Sequence, residues 1–95
     1  RGDVVKVHSL RRGAAEAIEA VAHGDVNTSK VVGRKVEDIQ LPSGTTIGAI
    51  VRGEQVLMAH HDTIIQAEDH VILFLIDREK ISSVEKLFQV SLAFF

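Results

Sequence analysis

Apolar and polar residues change their period along the chain, and each change marks a new element. Residues 4–10 alternate loosely, with Val5 and Val7 against Lys6 and His8, which predicts a short extended segment. Residues 14–22 carry two opposed signals. Their Ala and Glu content favours helix by intrinsic propensity, yet no helical stripe runs through them, so the residues alone leave both readings open. Residues 23–29 are a loop by composition. Val36 and Ile39 lie three apart and predict a short helix that Leu41-Pro42 ends, because proline cannot continue it. Residues 45–52 are rich in β-branched side chains and predict a strand. Gly53-Glu54 supplies a tight reversal, and residues 55–59 return as the second arm of a hairpin. Glu68-Asp69 is a polar break before residues 70–76, a run of consecutive apolar positions expected to form a strand covered on both faces. After Asp77 the period becomes helical. Ile81, Val84, Leu87 and Phe88 share one face, and Ser82-Ser83-Val84-Glu85 offers a partial capping box.

Composition narrows what these elements can do. The 95 residues suit one domain. With 45% hydrophobic and 4% aromatic residues, its core must come from Val, Ile, Leu and Ala. The absence of cysteine removes disulfides, thiolate nucleophiles and zinc knuckles, and fits a reducing compartment. A net charge of −2 without a basic stripe, and only four Phe, argue against nucleic acid as a partner. The apolar run 71–76 is far shorter than the ~20 residues needed to span a bilayer, so direct membrane insertion is not expected. The sole methionine is Met58, which suggests a piece of a longer protein. The expected division is an N-terminal extended segment or linker over 1–13, a domain over 14–89 and an apolar tail over 90–95.

His60-His61-Asp62 crowds two imidazoles and a carboxylate at a turn, the ligand types a divalent ion would want. The spacing matches no tight metal signature, and neighbouring residues on extended chain point opposite ways, so solvated turn histidines are the better reading. Ser43 and Ser82 sit where turn and helix start explain them without nucleophilic chemistry. Neither catalytic residues nor a metal are expected, and the chain does not read as an enzyme. Asn27-Thr28-Ser29 and Arg1-Gly2-Asp3 match a glycosylation acceptor and an adhesion tripeptide, both short enough to arise by chance. Gly44 and Gly48 are followed by strand and not by helix, so they fail as a phosphate loop and fit turn or close-packed strand positions. Arg52, beside Gly53 at the hairpin tip, is the one basic residue marked for anion or partner contact, with a solvated tip charge the better reading. With His60 and His61 it makes the candidate ligand-binding set. Phe94 and Phe95 are candidate interface residues, since exposed apolar surface usually marks a contact.

Three segments together carry a family resemblance. They are Gly33-Arg34-Lys35-Val36-Glu37-Asp38-Ile39-Gln40-Leu41-Pro42-Ser43-Gly44, Ile47-Gly48-Ala49-Ile50-Val51-Arg52-Gly53-Glu54-Gln55-Val56-Leu57-Met58 and Ile65-Gln66-Ala67-Glu68-Asp69-His70-Val71-Ile72-Leu73-Phe74. The chain resembles the C-terminal domain of RCK-type regulators (regulators of potassium conductance), over roughly residues 14–76. Its flanks, Arg11-Arg12-Gly13 to His23-Gly24 and Leu87-Phe88-Gln89, resemble the branch found in cytosolic regulatory subunits of bacterial Trk potassium uptake. The resemblance implies a small α+β fold, a mostly antiparallel sheet with one or two short helices, and a strand over 15–22. It also implies self-pairing as a homodimer or higher oligomer, and a cytoplasmic place at the inner membrane beside a potassium transporter's membrane subunit. An NAD- or ATP-type nucleotide would be bound in Rossmann domains outside this fragment, with no cofactor in the fragment itself. In some relatives this domain takes a small ligand, cyclic di-adenosine monophosphate included, at its dimer interface. Arg52 falls on a strand of the kind used there. The pattern departs at Glu68-Asp69-His70, which stands where proline-glycine-aspartate is commoner.

Overall fold

The computed structural model describes residues 4–10 and 15–90, with side chains described for Val4 and for 15–90. Five strands form one sheet: β1 (Val4–Leu10), β2 (Ala15–Ala22), β3 (Thr45–Arg52), β4 (Gln55–Met58) and β5 (Asp69–Leu75). Their order is β1-β2-β5-β3-β4, and every neighbouring pair is antiparallel. A helix α1 (Ile81–Phe88) follows β5. This is the α+β fold that the sequence suggested.

Residues 15–22 are a strand, against their helix propensity. Ile18, Ala20 and Ala22 face the core with Glu16, and Ala15, Ala17 and Glu19 lie on the other face. Between two antiparallel partners the backbone gains a full ladder on each side, and that outweighs a helix preference summed over a short segment. The predicted extended segment becomes the edge strand β1. The hairpin turns through Gly53 at φ +60°, where Arg52 pairs with Gln55. Positive φ at the first of two loop residues is the type II′ arrangement, whose twist suits the flanking strands.

The core is built where one face of the sheet meets α1. Ile18, Ile50, Val71, Leu73 and Leu75 pack with Val84 and Phe88, and Ile81 and Leu87 lie partly buried against them. The predicted apolar face of the helix is therefore the face that docks. Loop residues Val31, Val32, Ile39 and Ile65 complete the cluster. Ser29 steers two of them inward, its buried hydroxyl accepting from the backbone N–H groups of Val31 (3.0 Å) and Val32 (2.9 Å). Just upstream, Asp25 accepts from the Asn27 N–H at 2.8 Å. That bond first, and the Thr28 hydroxyl second, hold its carboxyl below the ordinary value.

Several sequence expectations change in detail. The short helix before Pro42 is a single 3₁₀ turn, Val36–Asp38, because residues 33–36 are already engaged with the 63–65 segment through Gly33, Val36 and Ile65 backbone bonds. The second hairpin arm stops at Met58. The last strand runs from Asp69 to Leu75, so Asp69 is a buried strand residue and the polar break stops at Glu68. The capping box is not used, since α1 begins before Ser82 and its N-cap, Lys80, makes no side-chain cap bond. Asp77 instead caps the preceding 3₁₀ turn Arg78–Lys80, accepting from the Glu79 N–H at 2.9 Å.

The largest correction concerns β5. Its inward residues Asp69, Val71, Leu73 and Leu75 are buried, but Phe74 is 45% exposed and His70 and Ile72 are only partly covered. One face of the strand is open, because α1 and the loops cover only the other.

Among the described residues, Glu68 is the one non-glycine with positive φ, at 71°. Glycine adopts this conformation without the Cβ penalty that Glu68 bears. A left-handed non-glycine residue costs roughly 1–2 kcal/mol, partly offset here by the exposed pair of Glu68 with His23 Nδ1 at 3.0 Å. Glu68→Gly is expected to raise stability by about 0.5 kcal/mol once glycine's extra unfolded freedom is subtracted. Urea denaturation checks it, and a loss of stability would mean that the His23 contact outweighs the backbone strain.

Candidate functional site

The open face of the sheet is read off its registers. Ala17, Phe74 and Thr46 form one cross-strand row, and Glu19, Ile72, Ala49 and Met58 the next. Val21, His70, Val51 and Val56 form a third. Directly paired residues in antiparallel strands project to the same side, so these rows share one side of the sheet, with Val21 buried there and the other residues partly or fully exposed. Met58 is 68% exposed and Val56 67%. Beyond the end of β5, Ile76 is also exposed. A bulge in β3 between Ile47 and Ala49 places Gly48 on this surface. A Cβ there would come within 2.5 Å of the Phe74 ring. Glycine thus lets Phe74 lie flat across the strand, as expected of a close-packed strand position.

Among the described residues, the titratable groups in these rows are Glu19 and His70. They meet diagonally, His70 Nδ1 to Glu19 Oε2 at 2.5 Å. Pairing satisfies both polar ends and leaves an otherwise apolar surface around them.

Behind the open face, Arg52 is anchored. Its Nε donates to Asp69 Oδ1 at 2.9 Å and its Nη2 to Asp69 Oδ2 at 2.8 Å, a two-pronged match of guanidinium to carboxylate. Nη2 also donates to the Ile64 carbonyl at 3.0 Å, and Asp69 Oδ2 accepts from the Gln66 N–H at 2.8 Å. The bond to Asp69 raises the guanidinium further above its ordinary value. Arg52 is therefore no solvated tip charge. It staples the hairpin end of β3 to the start of β5 and to the 64–66 segment.

The other marked residues do not join it. His60 and His61 lie exposed in the turn after β4; the His60 N–H donates to the Thr63 hydroxyl at 3.0 Å, and His61 Nδ1 stands 3.4 Å from Glu37 Oε1. Among the described residues no three His, Cys, Asp or Glu side chains gather in a way that could hold a metal ion, and no helix is long and apolar enough to cross a membrane. Phe94, Phe95 and the 1–3 tripeptide lie outside the described residues. Sequence reasoning missed Asp69, Phe74 and the Glu19–His70 pair. No signal in the uniformly apolar run 71–75 separated its two faces; the alternation appears only in burial.

The TrkA-C domain profile matches residues 25–89. Over all 95 residues the chain is 68% identical to the Trk system potassium uptake protein TrkA of Halomonas elongata, covering 21% of that protein. It is 67% identical to the TrkA of Vibrio alginolyticus over 91 residues, which are 96% of this chain and 20% of that one. It is 52% identical to the TrkA of Haemophilus influenzae over its whole length, again 20% of the relative. The chain thus spans about a fifth of the length of these relatives. With the profile covering more than half of its residues, the chain belongs to the TrkA-C domain family.

Proposed function

We propose that this chain is a non-enzymatic regulatory and assembly domain of a cytoplasmic potassium-uptake regulator, and that it pairs with a second copy through its open sheet face. The observation that carries the reading is that face itself: a largely apolar surface of β2, β5, β3 and β4 on which, among the described residues, Glu19 and His70 pair with each other. Apolar patches of this kind on small domains are contact surfaces, and a two-fold pair is the simplest way for one patch to cover itself. Membership of the TrkA-C family and the Trk potassium-uptake relatives support the setting. In that setting, paired domains couple ligand-driven rearrangement elsewhere in the regulator to the membrane subunit of the transporter.

Sedimentation velocity over a concentration series tests the pairing. A reversible dimer is expected at micromolar concentration. Phe74→Glu should weaken it at least tenfold, because a carboxylate would be buried in the seam without a partner. A wild-type chain that stays monomeric at high micromolar concentration would rule the reading out.

A further inference from the structure

On the helix side of the sheet, away from the open face, a shallow groove of about 610 Å³ is lined by the 40–42 segment and α1. Gln40, Leu41 and Pro42 line it with Ser83 and Leu87, and three lysines, Lys30, Lys80 and Lys86, complete the lining. Among the described residues none of these three lysines has a carboxylate partner. The chain as a whole is acidic, at net −2, so this clustering runs against its average. Like charges converging on one groove repel one another, and an anionic occupant gains from each of them. Leu41, Pro42 and Leu87 add an apolar lining between the charges.

We propose that this groove docks a short acidic segment of a partner protein, its carboxylates meeting Lys30, Lys80 and Lys86 and an aliphatic side chain resting on Leu41, Pro42 and Leu87. The lining favours this occupant over a phosphate or nucleotide. It offers point charges on flexible stems, with no arginine fork to grip a phosphate and no aromatic plane to stack a base. Spaced carboxylates on an extended chain match spaced ammonium groups. The groove and the open sheet face lie on opposite sides of the sheet, so both can be occupied together.

Fluorescence anisotropy with a short labelled peptide of glutamates punctuated by leucine tests the proposal on the full chain. The same peptide with glutamine for every glutamate serves as control. Saturable binding of the glutamate peptide is expected, about tenfold tighter than the control and weakening as salt rises. Lys30→Gln, Lys80→Gln and Lys86→Gln combined should lower its affinity about tenfold. Should that triple variant lose its circular dichroism spectrum, Lys86→Glu alone, an exposed change on α1, should still weaken the peptide. Equal affinity for the two peptides, or full affinity in the lysine variants, overturns the proposal. So does binding of inorganic phosphate or ATP without binding of the glutamate peptide. Because anisotropy reads peptide capture whatever the sedimentation behaviour, its result stands apart from the dimer reading.

Discussion

Arg52→Met is expected to destabilise the domain by about 3–4 kcal/mol, more than Asp69→Ala at about 2 kcal/mol, although both break the same pair. The asymmetry follows from burial. Asp69 is 1% exposed, whereas the Arg52 side chain is 29% exposed. Without Arg52, a carboxylate stays inside the protein with the Gln66 N–H as its remaining partner. Without Asp69, the guanidinium keeps the Ile64 carbonyl and turns toward water. Arg52→Lys should fall between the two, since an ammonium cannot meet both carboxylate oxygens in the plane of a fork. Chemical denaturation of the variants gives the order directly. If Asp69→Ala proved the more damaging, the pair would be governed by the arginine's contacts and not by the buried carboxylate.

Phe88→Ala should cost about 3–4 kcal/mol, as deletions of buried aromatic side chains generally do. Phe88 is 1% exposed and joins Val84 in docking α1 onto the sheet. A domain of this size holds roughly 5–15 kcal/mol in total, so the loss takes a large share of its stability. The expected readout is a midpoint shifted far toward low urea, with α1 the first element to lose amide protection. A variant that unfolds at the wild-type midpoint would mean that the helix contributes little to the core.

Signals local in sequence were the legible ones. Gly53-Glu54 after the β-branched run 45–52 located the hairpin, and the spacing of Ile81, Val84, Leu87 and Phe88 chose the docking face of α1. Residues 15–22 were ambiguous because their small alanines satisfy a helix and a tightly paired strand alike; family resemblance, and not periodicity, pointed to the strand. The open face was hidden for a related reason. A run such as Val71-Ile72-Leu73-Phe74-Leu75 looks the same whether its second face is covered within the chain or awaits another molecule. Arg52 looked like a free tip charge because its partner is 17 residues away, and Asp69 looked like part of a turn because it directly follows one. Nothing in the identity of Glu68 announces a left-handed backbone, which only the path from Ala67 into the strand reveals. The groove lysines are likewise dispersed in sequence, and only the docking of α1 beside the Leu41-Pro42 turn gathers them.

The strand order has a consequence for how the chain finds its shape. Two local ribbons, β1 with β2 and β3 with β4, flank a middle member that comes last among the strands. Neither ribbon can join the other until residues 69–75 exist, because β5 is the seam between them. Closing the span from β2 to β5 must precede the reward of the shared ladder, and non-local pairing of that kind slows folding relative to helical domains of equal size. During synthesis the inner edges of both ribbons therefore lack their partner until β5 emerges.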